Sequence, residues 1–206
     1  MEQLRVGVIG VGQMGSKHAR VYAQMREVKL VALADPRLDQ AQKLAHELGV
    51  QKVYADYREL LDLTELDAVS ICTPDELHKG PVLDTVQAGK HFLLEKPLAT
   101  ELDEAREMVQ AVRQAGIKAM VAHLLRFDPR YALVKEAIDQ GELGEIIYIV
   151  SHRNSPYTEG PRIYKPGTSL TMHVAVHDLD LVNWFMPSEP VRVFAQAAEK
   201  LLREKR

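Results

Sequence analysis

The sequence predicts an α/β fold with a doubly wound parallel sheet, followed by a partial α+β second domain. Three observations support this prediction. Near the start of the chain a short apolar strand runs directly into a glycine-rich turn and a helical pattern. Strand and helix patterns then alternate with short connections as far as Ala122. After Ala122 the alternation ends, so we expect one domain over residues 1–122 and a second, incomplete one over residues 123–206.

The first strand, Leu4–Ile9, ends in the pattern Gly10-x-Gly12-x-x-Gly15. In this pattern the first glycine permits a tight turn, the second lets the backbone approach a pyrophosphate, and the third lets a helix pack closely on the strand. The N-terminus of that helix offers N–H groups and a partial positive charge to phosphates. Asp35 follows at about the distance of the carboxylate that binds the ribose hydroxyls. The pattern predicts a dinucleotide-binding Rossmann domain; the alternative is a glycine-rich turn without a ligand.

The other elements of the first domain follow from apolar runs and helical spacing. A helix over Arg37–Leu48 is followed by Gly49, which suits a left-handed cap. Thr100-x-x-Asp103 resembles a capping box at the start of another helix, which Gly116 ends. Parallel strands separated by helices bring their carboxyl ends to one crevice, where ligands bind. The remaining predicted strands are Lys29–Ala34, Gln51–Tyr54, Ala68–Cys72, His91–Glu95 and Lys118–Ala122.

The region after Ala122 has fewer regular patterns. Asp128 followed by Pro129 predicts a helix start, because aspartate caps helices and proline suits the first helical position. A stretch rich in proline and glycine predicts a long loop further on. The predicted elements after that helix are a strand over Glu145–Arg153, a loop over Asn154–Ser169, a helix over Leu170–Phe185 and a strand over Val191–Ala197.

Composition narrows the class of protein. The chain has 206 residues, of which 46% are hydrophobic, enough for a sizeable core. Its net charge of −3 provides no basic surface for nucleic acid or an anionic membrane. No apolar run approaches the length of a membrane span, and Cys72 is the single cysteine, so no disulfide can form within the chain. The first strand begins close to Met1, which leaves no room for a signal peptide, so we expect a cytoplasmic protein.

Three further segments carry residues suited to chemistry: one after the fourth strand, one after the fifth, and one on the late helix. Besides the glycines, the chain has these motifs: Ala34-Asp35, Thr73-Pro74, Leu77-His78, Gly89-Lys90-His91, Glu95-Lys96-Pro97, Arg126-Phe127, and His177 with Asp180. Together they resemble the glucose–fructose oxidoreductase / inositol dehydrogenase / MocA family of nicotinamide-dependent oxidoreductases. The resemblance extends from Arg5 to about Ala197, and Glu-Lys-Pro after Gly-Lys-His is its most specific part.

The resemblance implies that Lys96 and His177 are the catalytic residues. The residue types fit the oxidation of a secondary alcohol, since an imidazole can exchange a proton near neutral pH and an ammonium group stabilises a developing alkoxide. The alternatives are a surface lysine and a histidine that only fills the buried face of its helix. The expected cofactor is NAD; NADP stays open because Arg37 could meet a 2′-phosphate. The expected cofactor contacts are Gly10, Gly12, Gln13, Met14, Gly15, Asp35, Arg37, Thr73, Pro74, His78, Glu95 and Lys96, with His78 read as a structural or pocket-wall residue rather than an acid or base.

His123, Arg126 and His173 are the candidate substrate contacts. The family usually has aspartate at the position of His173, and an imidazole cannot supply the carboxylate that would orient His177. We therefore expect a changed substrate preference or weakened catalysis, unless Asp178 or Asp180 orients His177 instead. Two histidines at this spacing could share a zinc ion, but no third ligand is indicated and we expect no metal. Five residues could meet a polar substrate, although solvated loop charges are the commoner case: Arg153, Tyr157, Arg162, Tyr164 and Lys165.

We therefore expect an NAD(P)-dependent oxidoreductase that transfers a hydride between nicotinamide and a hydroxyl carbon of a sugar, polyol or related compound. One alternative is a dinucleotide-binding sensor or interaction protein with little turnover. Another is transient oxidation during elimination or hydrolysis of a sugar, with Lys96 and His177 in the same roles. Family members are usually longer, so we expect a truncated or naturally shortened member. We also expect a homo-oligomer that forms through residues 123–206, where an unpaired sheet edge needs cover.

Overall fold

Six short apolar segments pair as strands of one sheet. The structure is a computed structural model that describes residues 3–154, 171–186 and 188–196. It divides into two units, Met1–Ala122 and His123–Arg206, and the sheet belongs to the first. The strands are β1 Leu4–Ile9, β2 Val28–Ala34, β3 Lys52–Tyr54, β4 Ala68–Ile71, β5 His91–Leu94 and β6 Ala119–Val121. All five strand pairs are parallel, in the order β3-β2-β1-β4-β5-β6.

Helices cover both faces of this sheet. Successive strand residues point to opposite faces, and each face has its own buried cluster. Val8 and Leu33 belong to one cluster, whereas Ile9 and Leu94 belong to the other. Strands buried on both faces explain the continuous apolar runs in the sequence. The helices described in the first unit are α1 Gln13–Gln24, α2 Leu38–Leu48, α3 Tyr57–Leu61, α4 Lys79–Gln87 and α5 Leu102–Ala115, with a 3₁₀ turn at Asp75–Leu77.

The predicted α/β class with a doubly wound parallel sheet is confirmed. Each predicted strand of the first unit forms, and its ends move by no more than one residue. Gly49 and Gly116 cap α2 and α5 at φ +70° and +65°, in the left-handed region. The predicted capping box at Thr100 is wrong. The N-cap of α5 is Glu101, one residue later, and its side chain makes no capping hydrogen bond.

The second unit is mainly helical in its described residues. Asp128 caps the next helix as predicted, since its side chain accepts a hydrogen bond from the Arg130 N–H and Pro129 is the first helical residue. The helix predicted over Leu170–Phe185 begins with a π-helical turn, and Leu170 lies outside the described residues. The elements are a 3₁₀ turn Leu124–Phe127, α6 Pro129–Asp139, the π turn Thr171–Ala175 and α7 Val176–Phe185.

The two strands predicted in the second unit are wrong as far as they are described. Neither residues 145–153 nor residues 191–196 pair with another described segment, and a strand exists only through such a ladder. Their apolar side chains are instead exposed, as at Ile147, Val150 and Phe194. Ala197 and most of the predicted loop, residues 155–169, lie outside the described residues. In the described parts of both units, no helix is long and apolar enough to cross a membrane.

Candidate active site

Two of the three glycines in the turn after β1 are required by the packing of the protein itself. Gly10 has φ +85°, and a Cβ atom there would lie 2.7 Å from the Cys72 carbonyl oxygen. A Cβ atom at Gly15 would lie 1.7 Å from the Gly10 carbonyl oxygen. Gly12 differs, because its nearest neighbour would be an Arg37 guanidinium nitrogen at 3.9 Å. The absence of a side chain at Gly12 therefore leaves space in front of the backbone rather than relieving an internal clash.

The N-terminus of α1 opens next to this space. Gly12 is the N-cap and supplies no capping side chain, and the first turn contains no acidic residue. Gln13 and Met14 are the first two helical residues, so their N–H groups belong to the set that an α-helix leaves without an internal partner. These amides and the helix dipole favour an anion. The geometry suits a phosphate group that approaches Gly12.

Asp35 lies beside the same turn, at the end of β2. Its Oδ2 accepts a hydrogen bond from the Val11 N–H at 2.8 Å, and its Oδ1 accepts from the backbone N–H and Nε of Arg37 at 2.9 and 3.2 Å. Burial by itself would raise the pKa of Asp35, but these hydrogen bonds and the guanidinium charge outweigh it and hold the pKa below its ordinary value. An ionised carboxylate and a half-exposed guanidinium thus stand together at the turn.

The segment after β4 contributes a buried hydroxyl and a buried imidazole. The Thr73 hydroxyl oxygen is buried and has no hydrogen-bond partner among the described residues. His78 is 1% exposed, with Nδ1 2.9 Å from the Pro97 carbonyl oxygen and Nε2 3.2 Å from that of Thr73. Both ring nitrogens therefore face backbone carbonyls. We propose that His78 holds the Thr73-Pro74 and Lys96-Pro97 segments together, and its contact with a cofactor stays a prediction.

The segment after β5 places a buried carboxylate next to Lys96. Oε1 of Glu95 lies 3.0 Å from Nε2 of His18, and Oε2 accepts a hydrogen bond from the Lys96 backbone N–H at 3.2 Å. Burial would raise the pKa of Glu95, but the His18 hydrogen bond and the nearby charges lower it overall. The Lys96–Pro97 peptide bond is cis. Sequence reasoning missed His18; the only available signal was its position three residues after Gly15.

In the second unit Asp180 gathers two of the predicted substrate contacts. Its carboxylate accepts two hydrogen bonds from Arg126, at 2.9 and 2.6 Å, and Oδ1 lies 3.6 Å from Nδ1 of His123. These hydrogen bonds raise the pKa of Arg126 above its already high value. The guanidinium also lies over the ring of Trp184, 5.7 Å from its centroid. Asp180 therefore holds the Arg126 guanidinium group in one orientation and keeps it charged.

Asp178 is held by a different arginine. It accepts hydrogen bonds from Arg153 at 2.6 and 3.0 Å and from the Ser151 hydroxyl at 2.9 Å. The Arg153 hydrogen bond is the main cause of its lowered pKa, to which the neighbouring His177 adds a smaller charge effect. Arg153 is thus an ion-pair partner rather than a solvated loop charge, whereas Tyr157, Arg162, Tyr164 and Lys165 lie outside the described residues.

The two late histidines occupy different kinds of turn. His173 lies in the π turn and His177 at the second residue of α7. The two carboxylates near His177 both accept hydrogen bonds from arginine, as described for Asp178 and Asp180. Among the described residues no group of three or more His, Cys, Asp or Glu side chains is arranged to hold a metal ion. The zinc alternative therefore receives no support from the described part of the chain.

Comparison with known proteins gives matches over almost the whole chain. Residues 4–123 match the GFO/IDH/MocA oxidoreductase family with its NAD-binding Rossmann fold, and residues 131–205 match the C-terminal domain of the same family. The scyllo-inositol 2-dehydrogenase (NAD(+)) of Bacillus subtilis is 31% identical over 91% of this chain. The myo-inositol 2-dehydrogenase of Thermotoga maritima is 30% identical over 95% of this chain. The chain spans 55% and 58% of the lengths of these two relatives.

A solved structure of a similar protein also matches this chain in three dimensions. The scyllo-inositol dehydrogenase from Lactobacillus casei, solved with bound cofactor NAD(H) and scyllo-inositol, superposes with a TM-score of 0.85 at 26% identity. The match covers 90% of this chain and 56% of that protein.

Proposed function

This chain belongs to the GFO/IDH/MocA oxidoreductase family, and we propose that it transfers a hydride between a nicotinamide cofactor and a hydroxyl carbon of a polyol or sugar. The relatives named above act on inositols, and a cyclic polyol is therefore the first substrate class to test. The single observation that carries the proposal is the open face at Gly12, which lies beside an uncapped helix N-terminus and an ionised Asp35.

The residues of the first unit fit NAD. The pyrophosphate would lie against Gly12 and the N–H groups of Gln13 and Met14, and Asp35 would accept hydrogen bonds from the adenosine ribose. The Thr73 hydroxyl, which is buried without a hydrogen-bond partner among the described residues, offers a further polar contact, with Pro74 beside it. Arg37 is the residue that would meet the extra phosphate of NADP. When bound, the nicotinamide accepts or supplies the hydride.

We propose separate chemical roles for Lys96 and His177. The Lys96 ammonium group would stabilise negative charge on the reacting oxygen, as preorganised cations do in low-dielectric sites. His177 would take the hydroxyl proton during oxidation and return it during reduction. His123, Arg126 and His173 remain the proposed substrate contacts. The Asp180 hydrogen bonds support this role for Arg126, because they fix the orientation of its guanidinium group.

The proposal is tested by Lys96→Ala, assayed by NADH absorbance against a panel of inositols, sugars and amino-sugar derivatives. Turnover should fall by about 10²–10⁴-fold, while NADH affinity stays close to that of the parent protein. Lys79→Ala is the matched control, since Lys79 is a lysine of the same unit that pairs with Glu107 on the surface. Equal turnover in Lys96→Ala and the parent would reject the catalytic role.

A dinucleotide-binding sensor is the second candidate. The observation that favours it is that position 173 carries an imidazole, where the family usually has aspartate. An imidazole cannot supply the negative charge that an aspartate would provide there. Tight NADH binding without turnover across the whole panel would favour the sensor over the enzyme.

We further propose that the protein works in the cytoplasm and that copies associate through residues 123–206. The exposed apolar side chains of the two unpaired segments support association, since Ile147, Val150, Val193 and Phe194 are all more than half exposed. Light scattering of the purified protein distinguishes an oligomer from a monomer. A monomer at all accessible concentrations would reject association.

A further inference from the structure

One imidazole connects the helix of the glycine turn to the residue that precedes Lys96. His18 lies on α1, and its Nε2 is 3.0 Å from Oε1 of Glu95, at the end of β5. Its Nδ1 is 3.1 Å from the hydroxyl oxygen of Ser70, on β4. The other carboxylate oxygen of Glu95 accepts the hydrogen bond from the Lys96 backbone N–H. A single side chain therefore links α1, β4 and the segment that carries the proposed catalytic lysine.

The hydrogen-bonding roles in this network are mutually consistent. A carboxylate can only accept, so the hydrogen between His18 and Glu95 belongs to Nε2. In the tautomer that carries its hydrogen on Nε2, Nδ1 accepts a hydrogen bond and the hydroxyl group of Ser70 is the donor. The Ser70 oxygen in turn accepts from the Tyr22 hydroxyl group, 2.6 Å away. Each polar group has a partner, and a fully satisfied buried network of this kind is rigid.

The network is buried where it meets Glu95. The side chains of His18 and Glu95 are 14% and 7% exposed. On the other side of Lys96, the Pro97 carbonyl oxygen faces Nδ1 of the buried His78. Lys96 thus lies between two residues that are each anchored by an imidazole. Of these two imidazoles, only that of His18 lies on α1, the helix whose N-terminus faces the open space at Gly12.

We propose that His18 is a positioning residue that places Lys96 through Glu95, and that it thereby couples the lysine to the dinucleotide-binding helix. His18 itself contacts neither the cofactor nor the reacting oxygen in this mechanism. The effect on turnover rests on the proposed function of Lys96, whereas the effect on the Lys96 segment does not. Loss of the anchor lets the Glu95 carboxylate rotate and loosens the backbone at Lys96.

Two conservative variants separate this role from simple packing. His18→Gln places an amide nitrogen near the position of Nε2, so it can still donate to Glu95. His18→Asn reaches only the position of Nδ1, near Ser70, and cannot reach Glu95. Tyr57→Phe is the matched control, because it removes another half-buried hydrogen bond to a carboxylate, that of Asp84, from the same unit.

Turnover and NADH affinity are measured for all three variants. His18→Asn should lower turnover by up to about 10²-fold, the cost of a catalytic group displaced by roughly 1 Å, with little change in NADH affinity. His18→Gln should retain most of the turnover, and Tyr57→Phe should retain all of it. Equal losses in His18→Gln and His18→Asn would overturn the proposal, because packing alone would then explain both.

Amide hydrogen exchange, followed by NMR, tests the same proposal without any need for turnover. The Lys96 amide should exchange roughly tenfold faster in His18→Asn than in the parent, the factor expected for one lost charge-assisted hydrogen bond. The Phe92 amide, which donates to the Lys118 carbonyl, is the internal reference and should not change. An unchanged Lys96 exchange rate would overturn the proposal. If Lys96→Ala keeps full turnover, the catalytic role of Lys96 fails, and the exchange comparison still decides the role of His18.

Discussion

Substitution of Gly12 by alanine separates the cofactor requirement of the glycine turn from its folding requirement. The backbone of Gly12 has φ −63° and ψ −159°, which an alanine can adopt without left-handed strain. The added methyl group would have 3.9 Å to its nearest neighbour, Arg37, so no overlap opposes it. Alanine is a weaker N-cap than glycine, whereas it reduces the entropy of the unfolded chain, and each effect is worth about 0.5–1 kcal/mol in opposite directions.

These opposing effects predict a small net change in stability. A residual of about 1 kcal/mol or less shifts the melting temperature by roughly 2–4 °C in a chain of this size. The effect on NADH should be much larger, because the methyl group occupies the space through which a phosphate approaches the helix amides. An overpacked contact costs about 1–3 kcal/mol, which weakens NADH binding by roughly 5- to 150-fold.

Two measurements on Gly12→Ala test this reasoning. Thermal unfolding should give a melting temperature close to that of the parent, while a titration of NADH fluorescence should give the weakened affinity. Gly80→Ala is the control, since a Cβ atom there meets only the Tyr57 hydroxyl at 3.6 Å, an ordinary contact far along the chain from the glycine turn. Unchanged NADH affinity in Gly12→Ala would refute the placement of the pyrophosphate at this turn.

Two further predictions concern folding. Gly15→Ala should prevent folding, because the methyl group would lie 1.7 Å from the Gly10 carbonyl oxygen, and a native circular dichroism spectrum would contradict this. The second prediction concerns Asp67, whose pKa is lowered chiefly by hydrogen bonds from Arg5. The stability that Asp67 contributes is therefore present above the ordinary aspartate pKa of about 3.9. It is lost as the pH falls through the lowered pKa. Asp67→Asn should therefore destabilise the protein at pH 7 and make its unfolding free energy less sensitive to acid, as measured by urea denaturation at pH 7 and pH 3; an unaltered pH dependence would be inconsistent with the ion pair.

The fold of the first unit was predictable because local and global signals agree there. Buried parallel strands need continuous apolar runs, and glycines at the helix ends and at the tight turn mark the boundaries between the elements. The spacing of Gly10 and Gly15 predicted a tight turn and a close contact between helix and strand. In the structure, the backbone leaves no room for a Cβ atom at either position. The position of Asp35 directly after β2 was also predictable, whereas its hydrogen bonds with Val11 and Arg37 were not.

The contacts that define the rest of the candidate site were not predictable in this way. Nothing in the spacing of His18 and Glu95 reveals that they meet, since 77 positions separate them and the pairing depends on the packing of α1 across the sheet. The arginine partners of Asp178 and Asp180 likewise come from other elements. The strands predicted at 145–153 and 191–197 were wrong in their described residues because alternation records a tendency to pair, whereas a ladder requires a neighbouring segment.

The register of three neighbouring strands determines where the segments that follow them leave the sheet. Ile9, at the end of β1, is paired with Ile71 of β4, which is paired with Leu94 of β5. The hydrogen bonds continue one step beyond the strands, from the Cys72 N–H to the Ile9 carbonyl and from the Glu95 N–H to the Ile71 carbonyl. The glycine turn, Thr73 and Lys96 must therefore begin at the same level of the sheet. A slip of one residue in β5 would turn Glu95 to the opposite face, away from His18, so the apolar pattern that fixes the strand register also fixes where Lys96 leaves the sheet.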